Sequence, residues 1–146
     1  PLPRFAKSLL VHSLGLTIGY SLYRLKPINW IAFMWDVIST DTFDEWFKGL
    51  TDSERADVLA TMKVLQQKGP MLPRPYADTV YESSHSNMKE LRISSGGKPI
   101  RAFFAFDPQR KGILLCAGDK TGDKRFYDRM IPLADREFTE HLKTLK

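Results

Sequence analysis

Cysteine is almost missing from the 146 residues: Cys116 stands alone. That excludes an intrachain disulfide framework and fits a reducing, cytoplasmic compartment. Three scattered histidines and one cysteine supply no zinc-type ligand cluster, so no metal is expected. No apolar run approaches the roughly 20 residues that span a bilayer, so no membrane role is expected. Gly118-Asp119-Lys120-Thr121-Gly122 lacks the GxxxxGK[ST] spacing of a phosphate-binding P-loop, and no cofactor is called for. Internal repeats and low-complexity tracts are absent as well. Aromatic residues are plentiful, at 12%, which excludes disorder of the whole chain and suffices for one domain core.

Acidic residues are missing from one place in particular. Residues 1–33 carry Arg4, Lys7, Arg24 and Lys26 and no Asp or Glu. Residues 34–84 are net acidic, with nine acids against five bases, and residues 85–130 are net basic, with ten bases against five acids. The overall charge of +5 therefore describes a basic opening and one basic segment in the second half. The opening stretch has no clean helical or alternating period. It reads as a targeting peptide, as a helix packed on the domain, or as translated upstream sequence with the natural start at Met34. The last is preferred, which makes residues 1–33 an extraneous or leader segment and residues 34–146 the domain.

From Trp35 onward the pattern is α+β. Trp35–Ser39 is a short strand candidate. Thr42 with Glu45, and Thr51 with Glu54, have capping-box spacing and open two helices. Phe43, Phe47 and Leu50 share one face of the first; Val58, Leu59, Met62 and Leu65 stripe the second, which Gly69-Pro70 ends. Pro70–Thr79 reads as a proline-rich connector. Strands are expected over Met88–Ser94, Ile100–Phe106 and Ile113–Ala117, antiparallel, with Gly96-Gly97 as a tight hairpin turn. The tail Asp123–Lys146 is expected to be helical with a break at Pro132, striped by Ala134, Phe138, Leu142 and Leu145. The order is strand, helical hairpin, antiparallel sheet, C-terminal helix.

A two-residue turn at Gly96-Gly97 places Arg92 directly opposite Arg101, in a non-hydrogen-bonded pair where side chains come closest. Like charges so placed destabilise a sheet, and two readings fit. Either an anion binds between them, or they splay apart on a solvated face; parity puts both on the face away from Leu91, Ile93, Ala102 and Phe104, expected to be open. If Phe106 pairs with Ile113, Gly118 falls opposite Arg101 and the run Lys120, Lys124, Arg125 leaves the sheet at the arginines' end. Lys124 and Tyr127, three apart, share a helical face. Arg92, Arg101, Lys120, Lys124 and Tyr127 thus form a candidate site with phosphate donors, a phenol and little carboxylate. The plain alternative for Lys120–Arg125 is a polar loop. His85 reads as a surface-loop histidine or a general base, and Cys116 as an inert core residue.

The element order, with Lys89-Glu90-Leu91-Arg92-Ile93, Pro99-Ile100-Arg101-Ala102-Phe103-Phe104 and Leu114-Leu115-Cys116-Ala117-Gly118-Asp119-Lys120-Thr121, resembles the RelE/ParE toxin superfamily, in particular its phage-derived HigB-like branch. The resemblance runs from Trp35 to Leu142. It implies a RelE-like fold similar to microbial ribonucleases, metal-independent cleavage of mRNA on the ribosome, and a cognate HigA-like antitoxin as partner. By position, Arg92 and Arg101 match strand arginines that grip the scissile phosphate. Lys120 and Lys124 match the basic loop after the last strand, and Tyr127 the aromatic residue of the C-terminal helix. Lys89, Lys98 and Arg125 join them as expected RNA-binding residues. Asp119 stands where many relatives have another lysine, and no histidine occupies the C-terminal site that some HigB toxins use. A ParE-type gyrase inhibitor or an RNA-binding module on the same fold is the competing reading.

Such chemistry has a plain physical logic. When a 2′-hydroxyl attacks its neighbouring phosphate, fixed arginines stabilise the extra negative charge. A lysine serves as base or acid if nearby cations lower its pKa. Tyr127 would stack on a base or orient the hydroxyl.

Overall fold

The computed structural model describes residues 34–145; the acid-poor opening stretch and Lys146 lie outside the described residues. The short strand β1 (Val37–Ser39) leads into α1 (Asp41–Lys48) and α2 (Asp52–Lys68). Thr51 and Glu54 form the expected capping box, the hydroxyl accepting from Glu54 N at 3.1 Å and the Glu54 carboxylate from Thr51 N at 2.9 Å. The first helix starts two residues earlier than the sequence suggests. Thr40, not Thr42, is its N-cap, accepting from Phe43 N at 3.2 Å, and Thr42 donates instead to Glu137 at 3.0 Å. Val58, Met62 and Leu65 are buried on the expected stripe of α2, and Leu59 packs beside them. Gly69 ends α2 at φ +61°, under the Trp35 indole, where a Cβ would come within 2.5 Å of the ring. Only glycine fits that backbone and that contact.

The proline-rich connector contains more order than its composition signals. A 3₁₀ turn (Gly69–Met71) is followed by β2 (Ala77–Thr79), which pairs antiparallel with β3 (Lys89–Ser95). Three residues are too few to show a period of two, and the prolines before them mask the strand. The hairpin of β3 and β4 (Lys98–Phe106) turns at Gly96-Gly97 with φ of +55° and +80°, the double positive φ that tight hairpin turns favour. β5 (Gly112–Asp119) pairs antiparallel with β4, and β1 runs parallel along its other edge. The sheet is therefore mixed, with order β1-β5-β4-β3-β2.

The last element, α3 (Phe126–Lys143), passes through Pro132 without the expected break. Proline removes one hydrogen bond to the carbonyl four residues back. Here both Pro132 and Asp128 face solvent, so the orphaned carbonyl is accessible to water. The two sheet faces carry separate cores. Leu91, Ile93, Ile100, Ala102 and Phe104 pack with α1 and α2, and Phe103, Ala105, Leu115 and Cys116 pack with Phe126, Met130, Ala134 and Phe138 of α3. The face expected to be open is thus mostly covered by α3. Among the described residues, its corner near Arg92 and Arg101 stays partly accessible.

Candidate functional site

The hairpin register follows the turn: Arg92 pairs with Arg101. Gly118 lies opposite Arg101 on the other side, but by a different path from the one expected. Phe106 pairs with Gly112 rather than Ile113, and a bulge between Phe103 and Phe104 leaves Leu115 unpaired and restores the register beyond it. The extra residue turns both Leu115 and Cys116 toward α3. Gly118 in turn admits the ring of Phe126, whose Cε1 would lie 3.0 Å from an added Cβ. That contact sets the start of α3, and with it Tyr127, against the arginine corner.

The two arginines are not equivalent. Arg92 Nε donates to Glu90 Oε2 at 3.1 Å and Nη2 to Asp78 Oδ2 at 3.1 Å. Asp78 also takes Arg74 Nη2 at 2.9 Å, and the Arg74 guanidinium holds Asp78 below the usual carboxylate range. Arg101 has no carboxylate partner among the described residues. Its Nη1 donates to the carbonyl of Ile100 at 3.1 Å, and its Nε is buried with no partner. Arg101 therefore keeps charge and donors to offer, whereas Arg92 is already neutralised. This corrects the expectation of a site with little carboxylate.

Tyr127 joins the two sides. Its hydroxyl donates to Glu90 Oε1 at 2.8 Å. Burial, then the bond to Glu90, push the phenol above its usual value of about 10, while the nearby Arg101 guanidinium pulls the other way. The phenol is neutral near pH 7 and serves as a donor, not a base. Lys120 Nζ lies 5.5 Å from the centre of the Tyr127 ring, within cation–π range, and its backbone N–H bonds Pro99 O at 3.0 Å. Arg92, Arg101, Lys120 and Tyr127 thus converge on one corner, around Glu90.

Four expected site residues fall elsewhere. Lys124 is exposed in the turn before α3 rather than on the helix with Tyr127. Arg125 is the N-cap residue of α3, exposed, with Asp128 3.8 Å away. Lys89 and Lys98 lie on the opposite face of the sheet. Lys89 Nζ donates to Pro70 O at 3.0 Å, and Lys98 Nζ pairs with Glu54 at 3.0 Å. Strand parity decides this: both alternate with Arg92 and Arg101 and point toward α2 and the 3₁₀ turn.

Glu90 is the residue of this corner that the sequence reading missed. It is 5% exposed, and its carboxylate takes one donor from Arg92 and one from Tyr127. The signal was present, since Glu90 stands two positions before Arg92 in one strand and shares its face. Asp78 was hidden by the unrecognised β2. Among the described residues, no three His, Cys, Asp or Glu side chains gather as a metal site, and no helix is long and apolar enough to cross a membrane.

The corner opens into two clefts that meet at Arg92. One, of about 490 Å³, is bounded by Pro75, Tyr76, Ser94, Pro99, Arg92 and Arg101. The other, of about 690 Å³, lies between Asp78, Tyr81, Glu90, Tyr127 and Asp128.

Residues 45–139 match the family described as "Phage derived protein Gp49-like (DUF891)". Two similar proteins come from Mycobacterium tuberculosis (strain ATCC 25618 / H37Rv). "Putative toxin HigB2" is 41% identical over 126 residues, covering 82% of this chain and 63% of that protein. "Putative toxin HigB3" is 46% identical over 101 residues, covering 68% of this chain and 87% of that protein. The chain thus spans less than two thirds of the length of HigB2. No solved structure matches the chain significantly. By these matches, together with the α+β fold and the paired strand arginines, the chain belongs to the Gp49-like family of phage-derived proteins, as a HigB-like member.

Proposed function

We propose that the protein is the toxin of a type II toxin–antitoxin system and cleaves mRNA on the ribosome without a metal. The names of the two mycobacterial relatives support the toxin reading. The observation that carries the nuclease reading is Arg101, a cation without a carboxylate partner among the described residues, fixed beside Tyr127, Lys120 and Glu90. In the proposed step the RNA 2′-hydroxyl gives its proton to the Glu90 carboxylate, and its oxygen bonds to the adjacent phosphorus. The P–O5′ bond breaks, and the leaving oxygen takes a proton from Lys120. The products are a 2′,3′-cyclic phosphate and a 5′-hydroxyl. Arg101 stabilises the added negative charge, the contribution that is usually largest. Arg92 and Tyr127 position Glu90 by occupying its other hydrogen-bonding directions. A cognate HigA-like antitoxin would hold this activity in check, in the compartment where ribosomes work.

The competing reading, a non-catalytic ParE-type gyrase inhibitor or an RNA-binding module, draws on one observation. Asp78 and Glu90 already neutralise Arg92, which reduces the cationic pull on a nucleic acid backbone. A purified translation system decides between them. With this protein added, reporter mRNA should acquire new 5′ ends mapped by primer extension. Intact mRNA on translating ribosomes, with loss of gyrase supercoiling, would favour the gyrase reading.

A further inference from the structure

Among the described residues, exposed large apolar side chains are confined to one short segment. They are Met71, Tyr76 and Tyr81, with 81%, 46% and 83% exposure; all three flank β2 in sequence, and the two tyrosines line the clefts at the arginine corner. The two tyrosines stand at different clefts, and the clefts differ in charge. The Tyr81 cleft carries Asp78, Glu82, Glu90 and Asp128 against Arg74 and Arg92, so it repels a phosphate backbone. The Tyr76 cleft contains no acid: its charged groups are Arg92 and Arg101 alone.

Strand geometry equips the second cleft further. Ser94 stands two positions after Arg92 on β3, and Pro99 lies directly opposite Ser94. The hydroxyl, the two arginines and the proline therefore share one face. Tyr76 is anchored through its backbone, its carbonyl accepting from Arg92 N at 2.7 Å and its N–H donating to Pro73 O at 3.1 Å. The residue thus stands at the cleft and is 46% exposed there. An aromatic plane, a hydroxyl and a guanidinium with a buried unpaired Nε are complementary to a base, a ribose and a phosphate respectively.

We propose that the cleft between Tyr76, Ser94 and Arg101 is a nucleotide subsite for single-stranded RNA, with a base stacked on Tyr76 and its phosphate at Arg101, and that the strand beyond the scissile nucleotide runs on this side of Arg92. The inference rests on the nuclease reading and gives its site a direction. The scissile phosphate would sit beside Glu90 near Arg92, where the two clefts meet, and the excess of acid in the Tyr81 cleft turns the rest of the strand toward Tyr76.

Fluorescence anisotropy of a labelled single-stranded RNA hexamer with the full chain tests it. Tyr76→Ala should weaken binding about tenfold, within the range that loss of one base stack produces. Tyr76→Leu, which keeps apolar bulk without the ring face, should lose as much, and Tyr76→Phe should bind like the unaltered protein. Tyr81→Ala should bind normally. Unchanged affinity in both Tyr76→Ala and Tyr76→Leu, an equal loss in Tyr81→Ala, or no hexamer binding by the unaltered chain would overturn the subsite. Mapping mRNA 5′ ends in parallel separates the two ideas. Cleavage with Tyr76-independent hexamer binding refutes the subsite alone. Tyr76-dependent binding with intact mRNA refutes the nuclease reading and leaves the subsite standing.

Discussion

The Tyr127 hydroxyl donates to Glu90 Oε1 at 2.8 Å, and this one bond ties the first turn of α3 to the start of β3, 37 positions earlier in the chain. It also gives a second donor, beside Arg92, to a carboxylate that is almost wholly buried. Folding and function meet in it, because the same carboxylate is the proposed base.

Tyr127→Phe should therefore cost stability at neutral pH. Glu90 would lose a donor inside the protein, a change typically worth about 1–3 kcal/mol, read from urea denaturation at pH 7. The pH dependence has a definite sign. The folded-state pKa of Tyr127 lies above its unfolded value of about 10, so between the two values the native state holds the proton that the unfolded state releases. The stabilisation is complete below about pH 10 and is lost as the pH rises through the folded value. The difference between unaltered protein and Tyr127→Phe should shrink as melts are taken from pH 9 toward pH 11. A difference that grows would contradict the donor role.

Cys116 should be chemically silent in the native protein. Burial pushes its thiol up to about 12, and it is 1% exposed against α3. Thiolate is the reactive form. Iodoacetamide at pH 8 should leave the folded protein unlabelled within an hour and label it once urea unfolds it. Rapid labelling of folded protein would show that α3 detaches from the sheet.

The register of the β3–β4 hairpin was legible because a two-glycine turn admits few geometries, and once it is fixed every side chain on both strands has a face. The same rule should have separated Lys89 and Lys98 from the site, since both alternate with the arginines. Grouping them with Arg92 and Arg101 relied on charge composition where parity was decisive. Two other features lay beyond local reading. The bulge at Leu115 arises from packing both Leu115 and Cys116 against α3, a tertiary requirement with no signature in β5 itself. The cover that α3 forms over the arginine face depends on the close approach of Phe126 to Gly118, which is visible only when the sheet and helix are both in place. Pro132 misled for a related reason: its cost depends on whether the orphaned carbonyl faces water, not on the proline alone.

Residues 34–146 are expected to fold without the opening stretch. Both core clusters draw on residues between Val37 and Phe138, with α1 and α2 closing one face of the sheet and α3 most of the other. A protein of residues 34–146 should unfold in one cooperative urea transition. Its midpoint should match that of the full chain. A broad, non-cooperative melt would show that residues 1–33 complete the core.

Arg101→Ala and Arg92→Ala should separate activity from stability, although the two residues face each other in one register pair. Arg101 has no carboxylate to leave behind, and its buried Nε lacks a partner. Removing it relieves like-charge repulsion and an unsatisfied donor, so the melting temperature should hold or rise slightly. Cleavage should fall by about 10²–10³, the usual cost of losing a donor at a centre of developing charge. Arg92→Ala strips a partner from both Glu90 and Asp78. Asp78 keeps Arg74, but Glu90 retains only Tyr127. The fold should lose about 1–3 kcal/mol, the desolvation penalty of a buried polar group left short of partners, and activity should fall with it. Growth arrest on induction and thermal melts of both purified variants measure the two effects. If Arg101→Ala unfolds earlier than Arg92→Ala, or if it still arrests growth fully, Arg101 is a structural residue and not the group that meets the phosphate.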